Sequence, residues 1–535
     1  MQKTVRLLAT SDIHGMMTDW DYLQNRKVTS GSIAGISSAV KEKRDDHTIL
    51  IDAGDLAQGN CADLFTDEAV HPMIQCANQI GYDIWVPGNH DYDYGAGKVC
   101  EFMASFRGKV LTGNVLDPEG SPIADAFTVI EKDGIRIGII GMTTPVIAEA
   151  DAVKDTGYLI KDPIEETKKS IIQLKGKADV LIAVCHMGTD HLISEKDTGV
   201  YELADACPEL DVIIGAHDHK LINEYYGSDI LIVENEADAR TMMEIILTFE
   251  TDGGQWKLTG RKADAVWIRY YEPDQEIEEL ISEYDWQARD YGVSPVGSVF
   301  RPDDTVLCGP VLSGTGRSRE DILNHQVEIR ESAVYDHAAS DLMSRAVLYY
   351  SGADISAFPC PPELPVPEQG YLTHNRLHAM DPFNNIASTV RMNGAQLKKY
   401  MEWCVAAYQT MNSETDPIQP DTDMQGHFID LFGGVSYKIN LAKPAGERIM
   451  DLAFHEKPVE PEDTFVVAAA GFRVNNQLLA EQGIFQGESL PVLVDNQVRG
   501  DIGSILDLMC DYIEEVNHGR IEYYCDCNWE LVYEP

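Results

Sequence analysis

The feature that most constrains this chain is a recurring pattern in its first 250 residues. Short, β-branched apolar runs each end in a polar turn: Val5–Ala9, Thr48–Ile51, Ile84–Val86, Ile135–Ile140, Val180–Val184 and Val212–Ile214. Continuous apolar runs of this length, bounded by turn residues, mark strands buried on both faces of an α/β sheet. Helical stretches are expected between them at Ile33–Lys43, Val70–Gln79 and Pro163–Lys175, the last opening on Asp162-Pro163 with acids in its first turn. Strand, turn and helix alternate, which predicts a layered α/β domain.

From Pro273 the sequence Asp-Gln-Glu-Ile-Glu-Glu-Leu-Ile-Ser-Glu-Tyr predicts an acidic amphipathic helix, followed by the turn-like Tyr291-Gly-Val-Ser-Pro295. The expected organisation is a first domain over 1–272, a linker helix and hinge over 273–294 and a second domain over 295–535. The second half is long enough for its own core. Helices are expected at Ala338–Tyr350 and Gly394–Ala407, and strands at Ile386–Met392, Val435–Asn440 and Phe465–Ala470, with a Pro-rich loop at Phe358–Pro367.

Charge narrows the partners. With 42 Lys+Arg against 88 Asp+Glu, the formal charge is −46. Polyanions are bound through Lys and Arg that release counterions, so long nucleic acid and anionic membrane are excluded as expected partners. The 11 cysteines contain no CxxC pair, so most are expected to be buried, reduced thiols. The chain begins without a signal-peptide pattern and no run approaches the ~20 apolar residues of a membrane span. The expected location is cytoplasmic, or exported if a leader has been removed.

The chemistry lies at the strand ends. Asp12 and His14 follow the first run, Asp55 the second, Asn89 and His90 the third, His186 the run at 180–184, and His217 and His219 the run at 212–214. In α/β sheets, sites gather beyond the carboxyl ends of strands, so groups 200 residues apart in sequence converge. Imidazole and carboxylate suit borderline divalent cations, and a carboxylate can bridge two of them. Two metals about 3.5–4 Å apart clamp the attacking and leaving oxygens of an in-line displacement at phosphorus. Singly, each piece is ordinary: Asp-x-His is usually a helix cap beside a surface histidine, and Gly-Asp a turn. Ligand types at successive strand exits are not.

Taken in order, Thr10-Ser-Asp-Ile-His-Gly15, Asp52-Ala-Gly-Asp-Leu-Ala-Gln-Gly59, Gly88-Asn-His-Asp-Tyr-Asp93, Cys185-His-Met-Gly188 and Gly215-Ala-His-Asp-His219 resemble the signature blocks of the calcineurin-like metallophosphoesterases. The nearest branch resembles the 5′-nucleotidase and 2′,3′-cyclic-nucleotide 2′-phosphodiesterase/3′-nucleotidase family. The resemblance implies a four-layer αββα catalytic sandwich followed by an α/β specificity domain. It implies two divalent ions (Mn, Zn, Fe, Co or Ni), one on Asp12, His14, Asp55 and His219, the other on Asp55, Asn89, His186 and His217. His90 would stabilise charge on the phosphate or assist the leaving oxygen, with Asp93 orienting it; Asp91 is the local competitor for that second role.

Blocks of the second half, Pro382-Phe-Asn-Asn385, Val390–Lys398, Gly434–Asn440 and Pro444–Ile449, resemble the family's C-terminal domain. By that resemblance Phe383 and Phe472 clamp the base and Asn385 meets its edge, and stacking of this kind tolerates different bases. An isolated Phe is otherwise a core residue. Three stretches depart from the family. Ala353–Pro362 lacks the phosphate-gripping arginine of 5′-nucleotidases, Glu234–Arg240 replaces a Gly-rich run, and Val474–Gln477 replaces glycines after the second aromatic. The first departure favours 2′,3′-cyclic nucleotides and nucleoside 3′-monophosphates as substrates. The alternatives are a 5′-nucleotidase or UDP-sugar hydrolase and a catalytically silent binding protein.

Overall fold

The computed structural model describes residues 2–22, 24–149, 153, 156–189, 199–227, 229–303, 330–382, 385–420, 429–499 and 504–535. Two compact units divide the chain, Met1–Asp290 and Tyr291–Pro535.

The first unit is built on two six-stranded sheets. One runs in the order Gln255–Trp267, Thr241–Asp252, Gln2–Thr10, Thr48–Asp52, Ile84–Trp85, Lys109–Val110; the other Ile222–Tyr226, Ile230–Glu234, Val212–Ile214, Val180–His186, Ile135–Thr143, Phe127–Lys132. The apolar runs read from the sequence are the central parallel strands, with Thr10 beside Asp52, Asp52 beside Trp85 and Val184 beside Ile214. Antiparallel strands complete three of the four edges, chiefly the long hairpin 241–267, while the edge strand Lys109–Val110 runs parallel to Ile84–Trp85. Successive residues of each central strand face opposite layers. Val5, Leu7, Ile49 and Ile51 of one sheet meet Ile137, Ile139, Ile182 and Val184 of the other in a shared apolar layer. On the outer faces, Leu8, Leu50 and Trp85 pack against Ile33, Ile36, Val40, Met73 and Ile74 of the helices Ile33–Lys43 and Pro72–Ile80. Ala183, Cys185 and Ile213 pack against Leu174, Val200 and Leu203 of Pro163–Leu174 and Val200–Ala206. This is the four-layer αββα sandwich.

Helix ends follow local chemistry. Asp162 caps Pro163–Leu174 through Glu165 N–H at 2.9 Å. The fully buried His71 caps Pro72–Ile80: its Nδ1 accepts from Met73 N–H at 3.3 Å while Nε2 donates to Ala62 O at 3.0 Å, which requires the neutral ring. Burial pushes its pKa down to about 4. The helix Gln275–Val293 buries Ile277, Ile281 and Ala288, with Tyr284 on the same stripe, against the first unit's outer helical layer. Asp285 of this helix accepts from Thr18 and Tyr22 hydroxyls, and Arg289 lies 3.8 Å over the Trp20 ring.

The second unit has a five-stranded sheet in the order Asp430–Gly433, Ile355–Pro359, Thr464–Ala470, Ala387–Asn393, Val492–Asp495, beside four- and three-stranded sheets. Helices Ala338–Ser351, Gly394–Val405 and Ile505–Asp511 supply its apolar cover. The Pro-rich loop expected from Phe358 begins later: Phe358 and Pro359 end the Ile355–Pro359 strand, which is paired on both sides. Pro359 is tolerated because it is the last residue of the ladder. The buried Asp336 and Asp341 cluster with the half-buried Cys525. Burial, then the neighbouring Asp526 carboxylate, drives the Asp336 carboxyl well above the usual carboxylate range. Nine described cysteines are free thiols and Cys527 takes part in a disulfide. No helix of the described residues is long and apolar enough to cross a membrane.

Candidate dinuclear metal centre

Asp12, His14, Asp55, Asn89, His186, His217 and His219 all sit at or just past the carboxyl ends of parallel strands. Backbone bonds tie these exits together: Asp12 N–H donates to Gly54 O at 2.8 Å, His14 N–H to Asp55 O at 3.0 Å, and Asp238 N–H to Asp12 O at 2.8 Å. Five of the seven residues hold left-handed backbone, Asp12 (φ 51°), His14 (48°), Asp55 (54°), His217 (83°) and His219 (60°). Such residues cost ~1–3 kcal/mol each and persist only where the surroundings over-determine them. Two glycines make room. A Cβ on Gly54 would lie 2.7 Å from His186 Nδ1, and one on Gly88 would collide with Asp55 Oδ1.

The donors form two groups that share Asp55. Ligand atoms of Asp12, His14, Asp55 and His219 lie within 4.8 Å of one another, as do those of Asp55, His186 and His217. His14 Nδ1 donates to Gln58 Oε1 at 3.1 Å, which leaves its Nε2 lone pair facing His219 Nε2 at 3.1 Å. His186 Nδ1 donates to Ala53 O at 2.8 Å, so its Nε2 faces Asn89 Oδ1 at 3.0 Å and Asp55 Oδ2 at 3.2 Å. Asp55 Oδ2 is buried and accepts no hydrogen bond from the described residues. The His186 Nε2 lone pair, the Asn89 oxygen and the unpaired Asp55 oxygen face one another in a buried site, which calls for positive charge among them, whereas His219 of the other group is exposed. The histidines report the same demand. Burial opposes charge on His186, yet the Asp55 and Asp12 carboxylates outweigh it and push its pKa up to about 10. His217, buried beside His186, goes down to about 3 and stays neutral.

His90 stands at the more exposed rim, its ring centroid 5.6 Å from that of His14 and its side chain 35% exposed. Its Nδ1 donates to Asp93 Oδ2 at 2.7 Å. Burial works against its charged form, but Asp93 and then Asp55 outweigh that and raise its pKa to about 10. Asp91 does not touch this ring; its carboxylate accepts backbone N–H groups of residues 55–57 and 88. Asp218 likewise binds the Thr189 N–H and hydroxyl, tying the His217–His219 loop to the segment after His186.

Residues 5–221 match the calcineurin-like phosphoesterase family, and residues 315–479 match the 5′-nucleotidase C-terminal domain. The chain joins a calcineurin-like phosphoesterase domain to a 5′-nucleotidase C-terminal domain. A Haemophilus influenzae relative named 2′,3′-cyclic-nucleotide 2′-phosphodiesterase/3′-nucleotidase is 24% identical over 99% of this chain and 87% of its own. A Vibrio cholerae 5′-nucleotidase is 29% identical over 41% of each chain. The solved structure of a putative 5′-nucleotidase from Staphylococcus aureus superposes with TM-score 0.75 at 17% identity, covering 99% of this chain and 100% of that one. The dinuclear divalent centre of the calcineurin-like phosphoesterases fits the two donor groups, and the chain is a hydrolase of that family.

In the nucleotidase-type unit, Ala387 pairs with Ala470, so Asn385 and Phe472 flank one end of two adjacent strands. Gly471 N–H donates to Ile386 O at 2.8 Å. Phe472 is half-buried, with the Arg473 guanidinium carbon 5.0 Å from its ring. Arg473 is itself buried and bonded to Asp430, which also accepts from the Tyr400 hydroxyl. Asn385 donates through its backbone N–H and side-chain amide to Asp381 at 3.0 and 2.5 Å. Phe383 lies outside the described residues. The sequence reading passed over Gln58, Asp218 and the structural part of Asp91, all of which stand inside the motifs it used.

Proposed function

We propose that this phosphoesterase opens 2′,3′-cyclic nucleotides and removes the phosphate of nucleoside 3′-monophosphates. The observation that carries the reading is the pair of donor groups sharing Asp55, with the His90–Asp93 pair at their rim. Two divalent ions bound there would supply Lewis acidity and a nucleophile at neutral pH. Asp12, His14, Asp55 and His219 would hold one, and Asp55, Asn89, His186 and His217 the other.

The chain's own residues do the rest. With Nδ1–H given to Asp93, the His90 imidazolium presents Nε2–H to a phosphoryl oxygen or passes that proton to the leaving oxygen. Asp93 keeps the ring charged and aimed. Phe472 offers a face for the base, and the Asn385 amide oxygen, its NH₂ engaged by Asp381, meets the base edge. The relatives with names of this type and the missing arginine in Ala353–Pro362 support the cyclic and 3′ substrates over 5′ ones. The Vibrio relative's name favours the second reading, a 5′-nucleotidase.

Turnover of 2′,3′-cAMP, 3′-AMP, 5′-AMP and a UDP-sugar, compared after Mn reconstitution, separates the two. The expected result is hydrolysis of the first two. Turnover of 5′-AMP alone would overturn the reading.

A further inference from the structure

Asp91 is wholly buried and occupies no ligand position, yet its carboxylate accepts four backbone N–H bonds. Three come from consecutive residues, Asp55 at 3.0 Å, Leu56 at 3.2 Å and Ala57 at 3.2 Å; the fourth comes from Gly88 at 2.9 Å. Consecutive N–H groups beside a left-handed residue, here Asp55, form a concave anion site, and Asp91 fills it as a built-in anion. The clamp closes with His90 N–H donating to Asp55 Oδ1 at 2.9 Å.

We propose that Asp91 is a positioning residue that holds the Asp55 loop against the Gly88–His90 turn and so builds the Asp55–Asn89–His186–His217 metal position before any metal arrives. The proposal rests on the two-metal reading above. Asparagine at this position keeps the size but has one acceptor oxygen, and its NH₂ would face N–H donors, so part of the clamp opens.

The test is a Mn(II) titration of the full chain read by electron paramagnetic resonance and by bound-metal stoichiometry. Wild type should take up two ions, the second producing a spin-coupled pair. Asp91→Asn, folded by circular dichroism, should bind the first ion normally and the second ~10–100-fold more weakly, as loss of a group behind a ligand does. A folded D91N protein that forms the coupled pair at wild-type Mn concentration overturns the role of Asp91. A wild type that takes up only one ion overturns the two-metal reading itself, and the proposal with it. A second measurement needs no variant: hydrogen exchange of metal-free wild type. Residues 55–57 should be as protected as the Thr48–Asp52 strand, and free exchange there until metal is added would sink the proposal.

Discussion

The metal end of the first unit and the Asn385–Phe472 corner of the second are both built at strand ends, but they are held by different means. At the metal end the backbone itself is specified, with five left-handed residues, two glycines without room for a side chain and Asp91 bonded to two loops. At the second corner Phe472 stands on the short helical turn Gly471–Arg473, whose backbone has negative φ and runs on into the π-helical Val474–Leu478, and its support is a side-chain network, Arg473, Asp430 and Tyr400. The difference fits the two tasks proposed for these sites. Shared ligands need fixed distances, because metal coordination fails over tenths of an ångström. Stacking needs only an aromatic face at the right depth.

The largest expected effect breaks the rigid end. Asp55→Ala removes the shared carboxylate, and kcat/KM should fall on the order of 10³-fold or more together with bound metal. His90→Asn at the rim should cost ~10²–10³-fold in kcat with metal content unchanged. Metal analysis beside steady-state kinetics checks both; metal loss in H90N would place His90 among the ligands. At the tolerant corner, Phe472→Ala should raise KM for nucleotides by ~5–150-fold, equivalent to ~1–3 kcal/mol of stacking, and leave p-nitrophenyl phosphate hydrolysis unchanged. Equal losses on both substrates would show Phe472 to be a core residue.

The smallest effect concerns pH, where the units should diverge. His71 has a folded pKa of about 4 against 6.5 unfolded. The unfolded state therefore takes up its proton first, and stability of the first unit falls as pH drops from 6.5 through 4, by about 3 kcal/mol at the limit. Protonation would put a donor on Nδ1 facing Met73 N–H and undo the cap. Asp336 behaves in the opposite sense. Its raised folded pKa means that the second unit is favoured below the ordinary aspartate range and loses that stability as pH rises through the raised value. Urea unfolding followed by hydrogen exchange in each unit should show the first weakening toward pH 5 and the second toward pH 8. His71→Gln and Asp336→Asn should flatten the respective trends.

Much of this molecule was legible in its sequence because the central strands are buried on both faces and read as unbroken apolar runs. The helix Ile33–Lys43 and the strand Val435–Asn440 have the bounds expected of them. The Ile355–Pro359 strand was hidden because Pro359 reads as a breaker, yet at the last ladder position its missing N–H costs little. The candidate donors were legible by residue type at strand exits. Their left-handed backbone was not, since Asp and His adopt positive φ more readily than most residues but still only in a small minority of positions. Asp91 was seen, but its task was invisible, because hydrogen bonds to residues 55–57 leave no trace in a motif that spans 88–93.

The helix Gln275–Val293 bears on how the protein can be divided. Its apolar stripe of Ile277, Ile281, Tyr284 and Ala288 covers the helical layer behind Met73 and Ile74, and Asp285 and Arg289 fasten the loop after His14. A catalytic module cut at Glu272 would leave that layer wet and that loop untethered. The portable piece, for grafting the hydrolytic centre onto a different recognition domain, ends at Asp290.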